Sequence, residues 1–232
     1  MKTAIMQPYF LPYVGYFQLI AAVNKFVLYD RIKYTKKGWI NRNRMLLNGS
    51  DAIFSLPLKK GSDSLEVVER EISDDFSPGR LLAQFSGAYK KAPNFEETYE
   101  LLRLMLNHDD RNLFRFIHYT LTQVCSHLGI DTDIQISSSL PFDNELKGED
   151  KVLAICKAVG AKTYLNSIGG KEIYSRESFA EHGIELKFLN ARTVEYRQFG
   201  ANFVPFLSII DLLMFNTREA VSEVVSTQFD LL

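Results

Sequence analysis

The chain has 232 residues, of which 46% are hydrophobic and 24% charged, with 27 Lys and Arg against 28 Asp and Glu. This length and composition suffice for a globular core and exclude disordered, collagen-like and low-complexity proteins. No run approaches the roughly 18 consecutive apolar residues of a membrane span, and the N-terminal segment, interrupted by Pro8 and Pro12, is not typical of a signal peptide. We therefore expect a cytoplasmic protein.

The charged residues are unevenly distributed along the chain. Residues 1–60 contain ten Lys and Arg but two acidic residues, a net charge of +8, whereas the remaining 172 residues carry −9. A positive surface formed by the N-terminal segment would attract a nucleotide, another phosphate-bearing molecule or nucleic acid. Alternatively, these basic residues are spread over a solvated face and balanced by acidic residues from elsewhere in the fold.

The cysteine and histidine spacings predict neither a disulfide framework nor a metal site. Cys125 and Cys156 are the two cysteines, and both fall in segments that are predicted to be helical. The four histidines are scattered, with no pair at the spacing of metal ligands. No cofactor motif is present, so no cofactor or metal is expected.

The first third of the chain predicts a β-α-β unit. Residues 2–6 form a compact apolar strand, residues 14–23 have the apolar spacing of a largely buried helix, and residues 25–29 are again typical of a strand. Residues 33–47 mix aromatic and basic residues without a helical apolar face, which predicts a ribbon or an ordered loop. A further strand is predicted over 52–58, after Asn48-Gly49.

The middle of the chain predicts helices and the last third returns to alternation. Ser77-Pro78 is a favourable helix start, and helices are predicted over 77–91, 95–107 and 112–128. Strands are then predicted over 133–137, 162–165 and 184–189, with helices over 150–159, 176–182, 205–215 and 218–225. The pattern predicts one α/β domain spanning residues 1–232, with a mostly parallel, open Rossmann-like sheet and a helical insertion at about 77–129.

The first candidate site follows the first strand and enters the first helix. Open α/β folds bind ligands just beyond the carboxyl ends of strands, and a helix N-terminus there favours an anion. The candidate binding residues in this segment are Gln7, Tyr9, Tyr13, Gly15 and Tyr16. The same residues could instead form a buried aromatic corner.

The second candidate site is the basic, aromatic segment that follows the second strand. Asp30 ends that strand and is a candidate general base, with Lys37 as a second catalytic candidate. The side chains after it can stack on a ring, bind phosphate or hold hydroxyl and amide groups. The candidate binding residues are Trp39, Asn41, Arg42 and Asn43, and Lys36 and Arg44 add charge. A solvated basic hairpin would explain the same composition.

The third candidate site follows the strand predicted over 162–165. Asn166, Ser167, Gly169 and Lys171 surround a two-glycine turn that can form a backbone cradle for an anion. A plain turn would need only the glycines. Further along, Ser208 and Asp211 lie three apart on a predicted helix, where they could face one ligand or serve as a cap and a surface residue.

Four stretches of the chain together resemble the WbqC-like family: IMQPYFLPYVGYFQLI, FVLYDRIKYTKKGWINRNRML, KTYLNSIGGKEIY and FVPFLSIIDLLMFN. The resemblance covers nearly the whole chain, and its N-terminal motifs are long and specific. Members of the family occur in bacterial gene clusters for surface polysaccharides, both O-antigen and capsule. The resemblance implies a transferase or modifying enzyme that acts on an activated sugar, and it assigns no catalytic residue.

A second analogy concerns the fold. Nucleotidylyltransferases carry an H-x-G-H sequence at the start of their first helix, where this chain has Tyr13-Val14-Gly15-Tyr16. The glycine is kept and both histidines are replaced by tyrosines, which cannot supply a cationic imidazole near neutral pH. A nucleotidylyltransferase-like scaffold is therefore compatible with the sequence, whereas nucleotidyl transfer is not favoured.

Our leading functional hypothesis is a transferase of O-antigen or capsular polysaccharide biosynthesis that adds a small acyl or aminoacyl group to a nucleotide-linked amino sugar. Asp30 would deprotonate the attacking amine or hydroxyl. Lys37, Arg42 and Lys171 would hold phosphates, and Tyr13, Tyr16 and Trp39 would line the sugar or base pocket. The alternatives are a glycosyltransferase and a non-catalytic nucleotide- or nucleic-acid-binding protein. The preferred partner is a nucleotide sugar or another phosphate-bearing small molecule rather than nucleic acid, and no oligomeric state is predicted.

Overall fold

One six-stranded sheet joins strands from the two ends of the chain. The computed structural model describes residues 1–200 and 202–232. Within these residues the strands are β1 (Lys2–Met6), β2 (Lys25–Leu28), β3 (Arg42–Leu47), β4 (Ser50–Ser55), β5 (Asp133–Ile136), β6 (Thr163–Ser167), β7 (Glu185–Ala191) and β8 (Phe229–Leu231). The sheet order is β5-β2-β1-β6-β7-β8, and β3 and β4 form a separate hairpin. The first five strands of this order are parallel and β8 is antiparallel to β7, which confirms the mostly parallel α/β fold.

The order of the strands reverses beside β1. From β1 the chain adds β2 and β5 on one side, then crosses back and adds β6 and β7 on the other. In open α/β sheets with this order, ligands bind outside the carboxyl ends of the strands at the point of reversal. That point lies here between the ends of β1 and β6, where the chain leaves Met6 and Ser167.

Helices cover both faces of the sheet. They are α1 (Val14–Ala21), α2 (Pro78–Tyr89), α3 (Phe95–Leu106), α4 (Leu113–Leu128), α5 (Gly148–Val159), α6 (Arg176–Glu181), α7 (Ile209–Phe215) and α8 (Arg218–Thr227). Strand side chains alternate between two cores: Phe26 and Leu28 of β2 pack with α1 to α4, α7 and α8, whereas Val27 packs with α5 and α6. The helices found within the predicted insertion, α2, α3 and α4, thus contribute to the same core as α1.

The segment after β2 contains a hairpin that the sequence only partly predicted. β3 and β4 pair antiparallel around Asn48-Gly49, whose φ angles of 51° and 80° fit a tight hairpin turn. The residues before β3 form an irregular loop that places Trp39 and Ile40 beside the chain leaving β1, because the amide of Phe10 donates to the Ile40 carbonyl over 3.0 Å. This contact brings the first two candidate sites together.

The last third differs from expectation at two places. The helix predicted over 205–215 begins at Ile209 instead, because Phe206 has a φ of 57° and Ser208 is the N-cap whose side chain accepts from the Ile210 amide. The chain also ends in a short strand, β8, that was not predicted. The irregular segment before α7 therefore lies beside the candidate site rather than in a helix.

Candidate functional site

A groove opens beside the chain segment that leaves β1. Its walls come from three parts of the chain: the loop after β1, the loop and strand that include β3, and the segment before α7. The lining residues are Tyr9, Pro12, Tyr13, Trp39, Asn43, Arg44 and Phe206, and we call it the aromatic groove. Four predicted binding residues, Tyr9, Tyr13, Trp39 and Asn43, are thus brought together.

Two backbone hydrogen bonds and one side-chain hydrogen bond fix the three walls to one another. The carbonyl of Pro12 accepts from the Ile209 amide over 2.8 Å, and the carbonyl of Leu11 accepts from the Ser208 hydroxyl over 2.7 Å. The Ser208 amide donates to the carbonyl of Arg44 over 2.9 Å. Ser208 is therefore a helix cap that ties the start of α7 to both other walls, and its hydroxyl is not free for a ligand.

Arg44 is the cationic group of the groove. Its guanidinium lies 5.5 Å from the centre of the Trp39 ring, donates to the Phe206 carbonyl over 3.0 Å and pairs with Asp51 over 3.3 Å. The Nε atom is buried without a hydrogen-bond partner in the part of the chain that the structure describes. Since the two terminal nitrogens carry four N–H groups, two of these remain for an anion. Arg44 thus combines positive charge with a fixed, planar orientation.

Tyr13 depends on the absence of a side chain at Gly15. A β-carbon at Gly15 would lie 2.5–2.6 Å from two ring carbons of Tyr13 and 2.7 Å from its hydroxyl oxygen, far inside contact distance. The ring meets Phe206 edge to face, with centroids 6.5 Å apart. Burial raises the pKa of Tyr13, so its hydroxyl stays protonated at neutral pH and can donate a hydrogen bond. Gly15 therefore acts by positioning Tyr13 and is not itself among the lining residues.

Tyr16 and Gln7 support the groove from behind. Tyr16 is fully buried and donates its hydroxyl proton to the Gln7 carbonyl over 2.7 Å, and its ring lies 5.6 Å from that of Tyr9. A ligand in the groove therefore meets Tyr9, whereas Tyr16 holds Tyr9 and the end of β1 in place. Burial also raises the pKa of Tyr9, which keeps this hydroxyl neutral.

Asp30 lies at the carboxyl end of β2 and bonds to the end of β5. Its Oδ1 accepts from the Ser137 hydroxyl over 2.7 Å and from the Ser138 amide over 3.0 Å. Burial favours the neutral acid, but the hydrogen bonds from Ser138 and Ser137 outweigh it and hold the pKa of Asp30 below its ordinary value. The expected neighbours Lys37 and Arg42 are not among its partners within residues 1–200 and 202–232.

The other predicted residues of the second motif shape the loop. Arg42 donates to the carbonyls of Gly38, over 2.9 Å, and Lys37, while the side chain of Lys37 is exposed. Asn41 accepts from the Tyr34 hydroxyl and donates to the Leu56 carbonyl, both over 2.8 Å. These contacts fix the loop that carries Trp39 at the groove.

Asn43 lines the groove, but both ends of its side-chain amide are hydrogen-bonded within the protein. The Nδ2 donates to the Phe10 carbonyl over 3.2 Å and the Oδ1 accepts from the Arg44 amide over 2.9 Å. Asn43 thus links the loop after β1 to β3 and orients the backbone that carries Arg44.

The third candidate site forms a separate cluster at the end of β6. The Asn166 Oδ1 accepts from the Ser167 amide over 2.8 Å, and a β-carbon at Gly170 would lie 2.3 Å from its Nδ2. Gly169 and Lys171 are exposed. None of these residues lines the aromatic groove, although the cluster lies on the strand next to β1, at the other side of the strand-order reversal.

Beneath the groove, a buried carboxylate links distant elements. Asp211 of α7 accepts from the hydroxyl of Tyr89 and the amide of Gln198, both over 2.8 Å, and from the hydroxyl of Tyr196. Tyr89 in turn accepts from the Leu46 amide over 2.7 Å. Burial raises the pKa of Asp211 against these hydrogen bonds. Asp211 therefore joins three parts of the fold. The sequence spacing had suggested a ligand contact or a surface residue instead.

Sequence reasoning missed Pro12, Phe206 and the serine partners of Asp30. Phe206 is 65% exposed and occupies the left-handed backbone region, which is unusual for a bulky residue. The sequence offered one signal, because Pro205 lies within the apolar run just before α7 and proline disfavours a helical conformation at the residue before it. Ser137 and Ser138 carried no signal of their own, because the contact with Asp30 depends on the pairing of β2 with β5.

Two further features bear on the site. No helix among the described residues has the length and apolar character needed to cross a membrane. The same part of the chain contains no group of three or more His, Cys, Asp and Glu side chains arranged to hold a metal ion.

The chain belongs to the WbqC-like protein family, whose model matches residues 7–223. It is 29% identical over 217 residues to the uncharacterized protein Rv1507c of Mycobacterium tuberculosis, a match that covers 91% of this chain and 92% of that protein. No solved structure matches the chain. The matched residues include all three walls of the aromatic groove.

Proposed function

We propose that this protein is a transferase of bacterial surface-polysaccharide assembly that adds a small acyl or aminoacyl group to a nucleotide-linked amino sugar. The aromatic groove is the acceptor site. The observation that carries the proposal is the pairing of the Arg44 guanidinium with the Trp39 ring, 5.5 Å apart, in a groove beside the end of β1. A phosphate-bearing molecule with a flat ring uses both features at once.

The walls of the groove suit an amphipathic ligand. Tyr9, Tyr13, Trp39 and Phe206 offer ring surfaces to a base or sugar, while Arg44 offers N–H groups to a phosphate. The location of the groove also supports a binding site, because the groove borders the carboxyl edge of a sheet whose strand order reverses beside β1. The predicted residues at the end of β6, Asn166, Ser167, Gly169 and Lys171, would border the ligand from the other side of this edge.

The proposed reaction forms an amide bond. The amino nitrogen of the sugar attacks the carbonyl carbon of an activated acyl or aminoacyl donor, a thioester or ester, and the carbon–sulfur or carbon–oxygen bond breaks. The proton that leaves the nitrogen is accepted by the base and passes to the departing thiolate or alkoxide. Asp30 is the proposed base, because it lies at the end of β2 next to β1 and its lowered pKa keeps it ionised. Lys37 is exposed nearby in sequence and would contact the phosphates.

Glycosyl transfer receives less support from the structure. The tripeptide Asp131-Thr132-Asp133 has the D-x-D spacing of many metal-dependent glycosyltransferases, but Asp133 begins β5 and therefore lies at the amino edge of the sheet. The carboxylate of Asp133 also accepts from Gln135 over 2.7 Å. The aromatic groove borders the opposite edge, so this tripeptide does not serve it.

Mass spectrometry of the reaction products tests the proposal. The wild-type protein is incubated with UDP-linked amino sugars and a panel of acyl thioesters and aminoacyl esters, and we expect an acylated nucleotide sugar and free thiol or alcohol in equal amounts. At substrate concentrations below saturation, Arg44→Met should lower the yield of this product about tenfold or more, whereas Arg103→Met, which removes an exposed arginine paired with Glu100 on α3, should not lower it. Release of UDP without acylation would instead favour glycosyl transfer. Binding of oligonucleotides with steep salt dependence and no binding of nucleotide sugars would favour a nucleic-acid-binding protein.

A further inference from the structure

A second pocket lies behind the aromatic groove. It shares Tyr13 and Phe206 with the groove as a common wall. Its other walls come from the start of α1, the chain after β7, α7 and α8, through Val14, Val194, Leu212 and Val224. We call it the apolar pocket.

Three of the polar side chains around the apolar pocket, those of Ser208, Tyr196 and Arg192, are already bonded within the protein. The Ser208 hydroxyl donates to the Leu11 carbonyl over 2.7 Å, and the Tyr196 hydroxyl donates to Asp211. The guanidinium of Arg192 is held by the carboxylate of Asp230 through two hydrogen bonds. The pocket therefore offers an occupant aliphatic and aromatic surface and few unbonded polar groups, which selects for a hydrocarbon part of a ligand.

Phe206 separates the pocket from the groove in a constrained conformation. Its φ of 57° is rarely adopted by a bulky residue, and the residue is 65% exposed, so neither local preference nor burial explains its position. The hydrogen bond from Arg44 to its carbonyl fixes the backbone there. Backbone conformations of this kind persist mainly where a site requires them.

We propose that the apolar pocket is the donor subsite and holds the short aliphatic chain of an acyl thioester. This inference rests on the proposed function, because it places the second substrate beside the first. The chain of the donor would lie among Val14, Val194 and Val224, and its carbonyl carbon would lie at the wall formed by Tyr13 and Phe206. The amino sugar in the aromatic groove would lie on the other side of the same wall, which places the two substrates side by side.

The affinity for donors of increasing chain length tests the inference. Calorimetry of the full-length protein with acetyl, butanoyl and hexanoyl thioesters of pantetheine should show an affinity increase of about fourfold for each added methylene, as burial of the chain requires. Equal affinities for the three thioesters would overturn the inference.

A filled pocket provides a second, independent test. Val194→Phe enlarges a half-buried side chain in an irregular segment and should remove the gain from acetyl to hexanoyl. Ile53→Phe makes a similar enlargement at a 60% exposed position on β4 and should keep the wild-type dependence. A Val194→Phe variant that keeps this dependence would contradict the assignment.

A parallel titration with a UDP-linked amino sugar separates the two proposals. Sugar binding together with chain-independent thioester binding would reject the donor subsite alone. If the wild-type protein binds no UDP-linked amino sugar, the proposed function is rejected, whatever the thioester affinities are.

Discussion

The guanidinium of Arg44 donates a hydrogen bond over 3.0 Å to the backbone carbonyl of Phe206, a residue 162 positions later in the chain. This bond joins the hairpin strand β3 to the segment before α7. It connects the one cation that lines the aromatic groove, among the described residues, with the ring that separates the groove from the apolar pocket. An anion that binds Arg44 would therefore bind a side chain that is bonded directly to Phe206, the residue between the two proposed substrates.

The first prediction concerns Gly15, whose missing side chain leaves room for the ring of Tyr13. Gly15→Ala places a β-carbon 2.5–2.7 Å from the phenol end of the Tyr13 side chain, so the ring must move. We expect nucleotide-sugar affinity to fall about tenfold, equivalent to about 1.4 kcal/mol, as measured by calorimetry. Gly87→Ala is the matched control, because nothing lies within 4 Å of its β-carbon and it is in the interior of α2. It should stabilise the fold by about 0.5–1 kcal/mol and leave affinity unchanged. Unchanged affinity in Gly15→Ala would remove Tyr13 from the binding site.

The second prediction concerns catalysis by Asp30. Asp30→Asn keeps the shape of the side chain but cannot accept a proton, so turnover at saturating substrate should fall by about 10²–10⁴-fold. The affinity for nucleotide sugar should change much less, because asparagine keeps the size of the side chain and an oxygen that can accept from Ser137 and Ser138. Asp133→Asn, at the opposite end of the sheet, is the control and should retain turnover. If Asp30→Asn turns over normally, the base is another residue and Asp30 serves to join β2 to β5.

The same variant has a defined effect on stability. Because hydrogen bonds lower the pKa of Asp30 in the folded protein, the stabilisation is present above the ordinary carboxyl pKa and is lost as the pH falls through the lowered value. The difference in unfolding free energy between the wild type and Asp30→Asn should thus be about 1.5–3 kcal/mol near neutrality and should shrink under acid conditions. Urea denaturation across this range measures it, and a difference that grows on acidification would contradict the account.

The third prediction concerns Asp211, whose pKa shifts in the opposite direction. Burial raises this pKa, so the stabilisation belongs to the protonated acid, is fully present at low pH and is lost as the pH rises through the raised value. Asp211→Asn does not titrate. The stability advantage of the wild type over this variant should therefore decrease from about pH 4 upward, which urea denaturation at several pH values can follow. An advantage that increases with pH would show that the three hydrogen bonds outweigh burial.

The fourth prediction concerns Arg42, which binds the turn that precedes Trp39. Arg42→Ala removes the hydrogen bonds to the Gly38 and Lys37 carbonyls. We expect Trp39, already 39% exposed, to become more exposed, which shifts the emission of this sole tryptophan to longer wavelength without any ligand. Arg103→Ala should leave the emission unchanged. An unchanged emission maximum in Arg42→Ala would show that the loop does not need Arg42, and a direct role in phosphate binding would then explain any loss of affinity.

The sequence predicted those parts of the fold that depend on local pattern. The β-α-β unit follows from the apolar spacing of residues 2–29. The Asn48-Gly49 turn marks the hairpin, although the mixed aromatic and basic residues of β3 predict only a ribbon or an ordered loop. The sequence predicts a start for α7 that is four residues too early. The apolar run continues through Pro205 and Phe206, whereas the backbone at Phe206 is not helical.

The site was predicted only where its residues are close in sequence. Tyr9 and Tyr13 lie in one motif and Trp39 and Asn43 in the next, and the β-α-β unit brings these motifs to the same edge. Phe206 reaches the groove through a long-range contact that no local pattern encodes. Asn41 and Arg42 have the residue types of a binding site, but their polar atoms bond to the loop backbone, and this could be seen only in the structure.

The fluorescence of Trp39 during titration with a UDP-linked amino sugar tests the central claim most directly, because this sole tryptophan lines the aromatic groove. We predict a saturable change in emission for the wild-type protein. In Arg44→Met, which removes the guanidinium 5.5 Å from the Trp39 ring, the affinity should fall about tenfold or more, as expected for the loss of a charged hydrogen bond. Arg103→Met should titrate like the wild type. No change in the wild-type emission, or equal affinity in wild type and Arg44→Met, would contradict the assignment of the groove as the nucleotide-sugar site.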